Sequence, residues 1–105
     1  MDESEFEKRS GATLSKLEDA LRAVDDDLEV DLGGGILTVE FPDGTKFVIN
    51  AHGVAKEIWL SANLSASHYA WDGTSWRDRR NGNELFAEVG RAVSEKMAEP
   101  VVLRS

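Results

Sequence analysis

The 105-residue chain contains no cysteine. Disulfides, thiolate metal sites and a cysteine nucleophile are therefore excluded, and any bound metal must be held by oxygen or histidine ligands. The chain also lacks an apolar run approaching the ~20 residues that cross a bilayer. Its amino terminus, Met1-Asp2-Glu3, is acidic where a secretory signal is basic. We therefore expect a cytoplasmic protein that does not enter a membrane.

Positive charge is scarce as well, because 12 Lys and Arg stand against 20 Asp and Glu, for a net charge of −8. Most of the excess lies in the first third of the chain. Residues 1–31 hold eleven acids and four bases, whereas residues 32–105 hold nine acids and eight bases. A surface of this sign repels nucleic-acid phosphates and anionic lipids and attracts cations and basic proteins. We therefore expect neither a nucleic-acid nor a membrane partner.

The length suits a single domain spanning residues 1–105, with residues 98–105 expected to form a tail. Residues 2–24 predict an amphipathic helix, because their apolar residues recur at spacings of three and four. A second amphipathic helix is predicted to follow Asn81-Gly82-Asn83, where an asparagine is expected to cap the first amides, and to end before Pro100. Each helix has one apolar stripe and must therefore lie on an apolar surface.

Between the two helices, alternation of apolar and polar residues predicts about six short strands. These strands are expected at residues 27–32, 36–41, 46–50, 56–62, 67–72 and 75–78. The connections are short, which favours an antiparallel meander, since a parallel pair needs a crossover of a dozen or more residues. We predict an α+β fold of two layers, in which both helices lie side by side on one face of an antiparallel sheet.

Seven carboxylates near the junction of the first helix and the first strand form the main candidate metal site, here called the acidic ridge: Glu18, Asp19, Asp25, Asp26, Asp27, Glu29 and Asp31. Helical and strand spacing place them on one narrow surface. Carboxylate oxygens suit hard or borderline cations, and binding is expected to be weak, multiple and exposed. The alternative is a solvated charged face. Like charges repel by about 1 kcal/mol per pair at 4 Å in water, so we favour a ridge that binds cations or a basic partner.

Trp59 is a candidate anchor for a protein partner. Its position in the predicted strand is opposite in parity to Ile58 and Leu60, so the indole is expected on the sheet face that the helices leave open. Exposed tryptophan is uncommon and is enriched among interface hot spots. The alternative is that neighbouring side chains on that face, such as Val48 or Trp71, partly cover the ring.

The remaining candidates carry weaker signals. His52 and His68 are the only histidines, and because neither belongs to a recognisable ligand pair we interpret both as surface residues. Arg77, Arg79 and Arg80 form a small basic cluster that favours ion pairing over nucleic-acid binding. No spacing of a nucleophile and a histidine indicates a catalytic site.

The order of elements, together with several short stretches, resembles the frataxin family, specifically its bacterial CyaY group, from Met1 to about Met97. The stretches are Ser4-Glu5-Phe6, Glu18 to Asp31, Gly35-Ile36-Leu37-Thr38-Val39, Gly44-Thr45-Lys46, Ile49-Asn50, Ile58-Trp59-Leu60-Ser61, His68-Tyr69 and Trp76-Arg77-Asp78. The chain departs from the family pattern in two places. It reads Ala51-His52-Gly53-Val54 where the family has a glutamine and a proline, and Ser65-Ala66 replaces a glycine pair.

The resemblance implies a non-enzymatic protein that binds iron weakly on the acidic ridge, where other divalent cations can substitute. It also implies docking on the cysteine desulfurase and the scaffold protein of iron–sulfur cluster assembly, through Trp59, Asn50, Glu18 and Asp25, with His68 as a secondary metal contact. The protein is expected to be a monomer that metal can drive to self-associate. Two alternatives stay open: a metal-independent acidic adaptor, and a ferroxidase-like protein that oxidises iron.

Overall fold

A computed structural model describes all 105 residues. It contains two helices and six strands: α1 (Glu3–Arg22), β1 (Glu29–Gly33), β2 (Ile36–Glu40), β3 (Lys46–His52), β4 (Glu57–Ala62), β5 (Ser65–Trp71), β6 (Trp76–Asp78) and α2 (Leu85–Met97). The strands form one antiparallel sheet in the order β1-β2-β3-β4-β5-β6. The predicted α+β fold, with two helices packed on a six-stranded sheet, is confirmed.

Helix α1 begins where Asp2 caps it, since a carboxylate oxygen of Asp2 accepts a hydrogen bond from the Glu5 N–H at 2.7 Å. Its apolar stripe is buried as predicted, at Phe6, Leu14, Leu17 and Leu21. The helix ends at Arg22, earlier than the predicted residue 24. Neither this helix nor α2 is long and apolar enough to cross a membrane.

The start of α2 differs from the prediction. Glu84 is the cap, because its carboxylate accepts hydrogen bonds from the N–H groups of Phe86 at 2.8 Å and Ala87 at 3.1 Å. The side chain of Asn81 instead accepts from the Asn83 N–H at 2.9 Å and closes the preceding turn. The predicted asparagine cap is therefore wrong, since Asn81 is occupied within the loop and the Asn83 side chain donates to Glu88 at 3.3 Å.

The two layers share one core of 22 buried residues. Alternate residues of each strand point into it, as the period-two pattern predicted. A buried hydrogen bond also joins α1 to β6, since the Trp76 indole N–H donates to the Thr13 hydroxyl at 2.8 Å. Trp71 faces this core side and lies 5.4 Å from Trp76, centroid to centroid.

Residues 98–105, expected to form a tail, lie outside the helices and strands but return to the core. Leu103 is buried, and the Ser94 hydroxyl accepts a hydrogen bond from the Val101 N–H at 2.8 Å. The close approach depends on Gly90, because a Cβ there would lie 3.3 Å from the Leu103 nitrogen. The carboxyl-terminal segment therefore packs on α2.

The turn between β4 and β5 is tighter than predicted, because β5 starts at Ser65 instead of residue 67. Asn63 and Leu64 form this turn with φ angles of 49° and 65°. Such left-handed angles are typical of two-residue hairpin turns, which normally use asparagine and glycine. A bulky leucine rarely adopts them, so the residues at this position do not predict the turn.

Candidate functional site

The face of the sheet opposite the helices, here called the open face, places the candidate partner residues in one row. The register pairs Ile36 with Asn50, Asn50 with Trp59, and Trp59 with His68. Cross-strand partners of this kind project from the same face of the sheet. Asn50 and Trp59, predicted as partner contacts, are therefore direct neighbours.

The acidic ridge follows one edge of the molecule. Glu18 and Asp19 lie near the end of α1, Asp25 to Asp27 lie in the connection, and Glu29 and Asp31 lie on the edge strand β1. The predicted helical alignment of Asp25 and Asp26 with α1 residues is not observed, because the helix ends at Arg22. Asp27 likewise precedes β1 and is not part of it. The ridge is continuous along the chain, but it is built from a helix end, a turn and a strand.

Most ridge carboxylates have no basic partner. Glu18 pairs with Arg22 at 2.9 Å, and the other six members form no ion pair. The Asp25 side chain is occupied locally, since it accepts from the Asp27 N–H at 2.8 Å. No three histidine, aspartate or glutamate side chains of the molecule converge closely enough to hold a metal ion. The ridge therefore offers a concentrated negative field in place of a preformed metal cage.

Glu40 is an additional acidic residue beside the ridge that the sequence analysis did not identify. It lies on β2 directly opposite Glu29 of β1. Its only cationic neighbour is Lys46, at 3.8 Å. The signal available in the sequence was the short hairpin connection at Gly33-Gly34-Gly35, which sets the register between the two strands.

Trp59 lies between two histidine rings. The His52 and His68 rings stack on its opposite faces, with centroids 4.0 and 4.3 Å away and interplanar angles of 14° and 13°. The open-face position predicted from strand parity is observed, since Ile58 and Leu60 are buried on the other side of β4. The residues that stack on the ring are not ones that the sequence analysis named for this role. Trp71 faces the core, and both histidines, interpreted as isolated surface residues, belong to this stack.

Glu57 completes the surroundings of Trp59. Its carboxylate accepts a hydrogen bond from the Trp59 indole N–H at 3.0 Å. The same carboxylate lies 3.9 Å from His68 Nδ1 and 3.9 Å from Arg79 Nε. Its side chain is only 14% exposed, although it projects from the open face. Sequence analysis missed Glu57, which strand alternation alone could have placed on the same face as Trp59.

The basic cluster next to this site is internally paired, as predicted. Arg77 contacts Asp72 at 3.2 Å, and Arg80 contacts Asp78 at 3.5 Å. Hydrogen bonds from the backbone N–H groups of Ser75 and then Thr74 lower the pKa of Asp72 to about 2. The carboxylates therefore stay ionised near neutral pH and hold the arginines in place.

Comparisons with known proteins find relatives along nearly the whole chain. The model of the frataxin-like domain matches residues 1–99. A curated relative from Dechloromonas aromatica, called "Iron-sulfur cluster assembly protein CyaY", is 42% identical over 99% of this chain and 100% of its own length. A relative of the same name from Paraburkholderia phymatum is 36% identical over 96% of each chain.

Solved structures match the fold as well. Frataxin from Psychromonas ingrahamii superposes with a TM-score of 0.90 at 28% identity and covers 100% of both chains. A structure of trimeric yeast frataxin complexed with ferrous iron superposes with a TM-score of 0.68 at 27% identity, over 94% of this chain and 88% of that one. With the family model covering nearly its whole length and a 42%-identical relative matching end to end, this chain belongs to the frataxin family.

Proposed function

We propose that this protein works in iron–sulfur cluster assembly in the cytoplasm, where it binds iron weakly on the acidic ridge and docks on the cysteine desulfurase and the scaffold protein. It acts as an iron-carrying or regulatory protein and not as an enzyme. The names of its relatives support the pathway, and the ferrous complex of yeast frataxin supports iron binding. The observation that carries the proposal is the ridge, in which six of seven carboxylates lack an ion-pair partner.

The ridge is suited to exchange of metal. Exposed carboxylates without a fixed cage bind hard or borderline cations through the summed field and through water, so several weak positions compete. Weakly bound ions dissociate rapidly, which is what delivery to a partner requires. Fe²⁺ fits this ligand set, and other divalent cations are expected to compete with it because selectivity from nitrogen or sulfur ligands is lacking.

The open face offers a second contact for the partners. Trp59 and Asn50 are neighbours there, and tryptophan is one of the residue types enriched among interface hot spots. The ridge then steers a basic surface of the desulfurase, while the row through Asn50 and Trp59 contacts the scaffold protein. Because Glu18 and Asp25 belong to the ridge, bound metal and the desulfurase are expected to compete for them.

A metal-independent adaptor is the second candidate function. It is favoured by one specific observation, which is that no three ligating side chains converge to hold a metal ion. In that case the ridge attracts only a basic protein surface and iron binding is incidental. Iron oxidation would require an enclosed and fixed ligand geometry, and no feature of the ridge favours it.

Calorimetry under anaerobic conditions tests the iron-binding part. We expect Fe²⁺ to bind the wild-type chain with saturation, and the double variant Asp26→Asn, Glu29→Gln to bind more weakly. The matched control is Glu95→Gln with Glu99→Gln, which removes the same charge from α2 and the carboxyl-terminal segment. Equal loss of iron binding in both double variants would show that only net charge matters and would reject the ridge as the site.

Affinity for the purified desulfurase and scaffold protein tests the docking part. We expect Trp59→Ala to weaken the complex with the scaffold protein. The circular dichroism of the chain should be unchanged, because the ring lies on the open face and not in the core. Desulfurase binding that is saturable but unaffected by Fe²⁺ would favour the metal-independent adaptor, because the iron-binding proposal expects metal to compete for Glu18 and Asp25. Absence of binding to either protein would reject the proposed pathway.

A further inference from the structure

The surroundings of Trp59 point to a role for residues that the proposed docking function does not itself assign. Resting on that function, we propose that Glu57 is a positioning residue which, together with His52 and His68, holds the Trp59 indole in one orientation so that a partner meets the edge of the ring and not its face. The three residues are called the indole clamp below.

Both faces of the indole are covered. His52 and His68 stack at centroid distances of 4.0 and 4.3 Å and within 14° of parallel. A third flat group cannot enter such a stack without displacing one of the imidazoles. The accessible part of Trp59 is therefore its rim, which carries the positive edge of the ring quadrupole.

The rim is held in place through its single polar atom. The indole N–H donates to Glu57 at 3.0 Å, so rotation of the ring about its side-chain bonds breaks this hydrogen bond. Glu57 is itself restrained, since its side chain is 14% exposed and lies within 3.9 Å of both His68 Nδ1 and Arg79 Nε. An isolated surface carboxylate has no such neighbours. Hydrogen bonds to an ionised acceptor are stronger than neutral ones.

A backbone hydrogen bond also restrains the His52 ring. Its Nδ1 accepts a hydrogen bond from the Ala55 N–H at 3.2 Å, within the turn that joins β3 to β4. Rotation of the His52 ring away from Trp59 would therefore break its hydrogen bond with the turn. The three residues of the indole clamp lie on different strands: His52 on β3, Glu57 on β4 and His68 on β5. The strand register thus determines the position of the ring.

An anchor that is already ordered loses less side-chain entropy when a partner binds. Releasing the ring is expected to weaken the complex about 3- to 10-fold, which corresponds to the usual cost of immobilising one large side chain. The fold is not expected to change, because the clamp lies on the open face.

The experiment compares Glu57→Ala with Glu57→Gln in the full chain. The glutamine carbonyl still accepts from the indole N–H but carries no charge, whereas alanine offers no acceptor. By NMR, we expect the Trp59 indole N–H of Glu57→Ala to shift and to exchange faster with solvent, and that of Glu57→Gln to stay protected. Trp59→Phe identifies the signal among the three tryptophans. An unchanged indole signal in Glu57→Ala would overturn the proposal.

Affinity for the purified scaffold protein is measured on the same variants. We expect Glu57→Ala to weaken binding and Glu57→Gln to restore it, with Glu95→Ala as the control for loss of one charge. Equal weakening by alanine and glutamine would mean that charge, not positioning, matters, and would overturn the role. His52→Ala is a second test, since it removes the imidazole from one face of the indole and leaves the carboxylate in place. We expect it to weaken binding, and unchanged affinity would contradict the clamp.

Different results would overturn the docking function of Trp59 and the positioning role of the clamp. If Trp59→Ala leaves scaffold binding intact, the docking function assigned to Trp59 is wrong, and the clamp has no docking role even if the NMR signals respond as expected. If Trp59→Ala weakens binding but Glu57→Ala and His52→Ala do not, the docking function stands and only the positioning role is overturned.

Discussion

Neutralising Glu29 is expected to stabilise the protein. Glu29 of β1 lies directly opposite Glu40 of β2, and like charges in directly opposed positions destabilise an antiparallel pair. Glu40 has some relief from Lys46 at 3.8 Å, but Glu29 forms no ion pair. The repulsion is therefore removed at least cost by changing Glu29. The matched comparison is Glu40→Gln, which removes the same repulsion but also breaks the contact with Lys46.

The magnitude follows from the cross-strand geometry. Directly opposed pairs contribute roughly 0.2–1 kcal/mol, so Glu29→Gln should raise the free energy of unfolding by about that amount. For a domain of this size the melting temperature should rise by about 1–8 °C. Glu40→Gln should raise the free energy of unfolding by less, because an exposed ion pair worth about 0–1 kcal/mol is lost at the same time.

Thermal melts followed by circular dichroism at low salt and in 1 M NaCl test this reasoning. The Debye length is about 3 Å in 1 M salt, so the gain from Glu29→Gln should shrink there. The same variant should bind Fe²⁺ more weakly if the ridge is a functional site. A variant that is no more stable than wild type at low salt, or a gain that persists in 1 M NaCl, would refute the electrostatic explanation.

Three further predictions concern stability. Thr13→Val should lower the free energy of unfolding by about 1–3 kcal/mol in urea titrations, because the buried Trp76 indole N–H loses its acceptor. Leu103→Ala should cost about 2 kcal/mol by the same measurement, near the low end for a buried leucine because the terminal segment can collapse onto the space. The pKa of Asp72, about 2 in the folded protein against 3.8 ordinarily, means that its contribution is present above about pH 4 and is lost as the pH falls toward 2. Asp72→Asn should therefore lose less stability than wild type across that interval in urea melts.

Each of these predictions has a control. Thr13→Ser keeps the hydroxyl and should cost less than Thr13→Val; the reverse order would rule out the hydrogen bond as the cause. Gly90→Ala should destabilise the chain although alanine favours helices by about 1 kcal/mol, because the new Cβ would lie 3.3 Å from the Leu103 nitrogen. A more stable Gly90→Ala would contradict the packing of the terminal segment. Parallel acid profiles for wild type and Asp72→Asn would contradict the assignment of that carboxylate.

The fold was predictable because local patterns agree with one another. Apolar spacing in the two helices and alternation in the strands identify the same buried face that the structure contains. The errors lie where local signals are weak. Glu84 is an uncommon cap, so an asparagine of Asn81-Gly82-Asn83 was the better candidate from sequence alone. The turn at Asn63-Leu64 lacks glycine, and for that reason the start of β5 was placed two residues late.

The candidate site was predictable to the extent that it is local in sequence. The acidic ridge occupies a continuous stretch between residues 18 and 31, so chain connectivity alone keeps its carboxylates near each other. The indole clamp is not local. Two of its residues, His52 and His68, lie on strands other than that of Trp59, and only the register between the three strands brings the rings together. Strand β3 was also predicted to end at residue 50, which left His52 outside the sheet.

The two parts of the proposed docking surface should act separately, because the sheet keeps them apart. Glu29 lies on β1 and Trp59 on β4, so three inter-strand spacings of about 4.8 Å, or roughly 14 Å, separate them across the sheet, and the register offsets them along the strands as well. That separation exceeds the Debye length of about 8 Å at physiological salt, so ridge charges are largely screened at Trp59. Salt should therefore weaken the desulfurase complex and slow its association, whereas loss of the indole should speed dissociation of the scaffold complex and leave its salt dependence unchanged. A partner that used only one of the two parts would respond to only one of these changes.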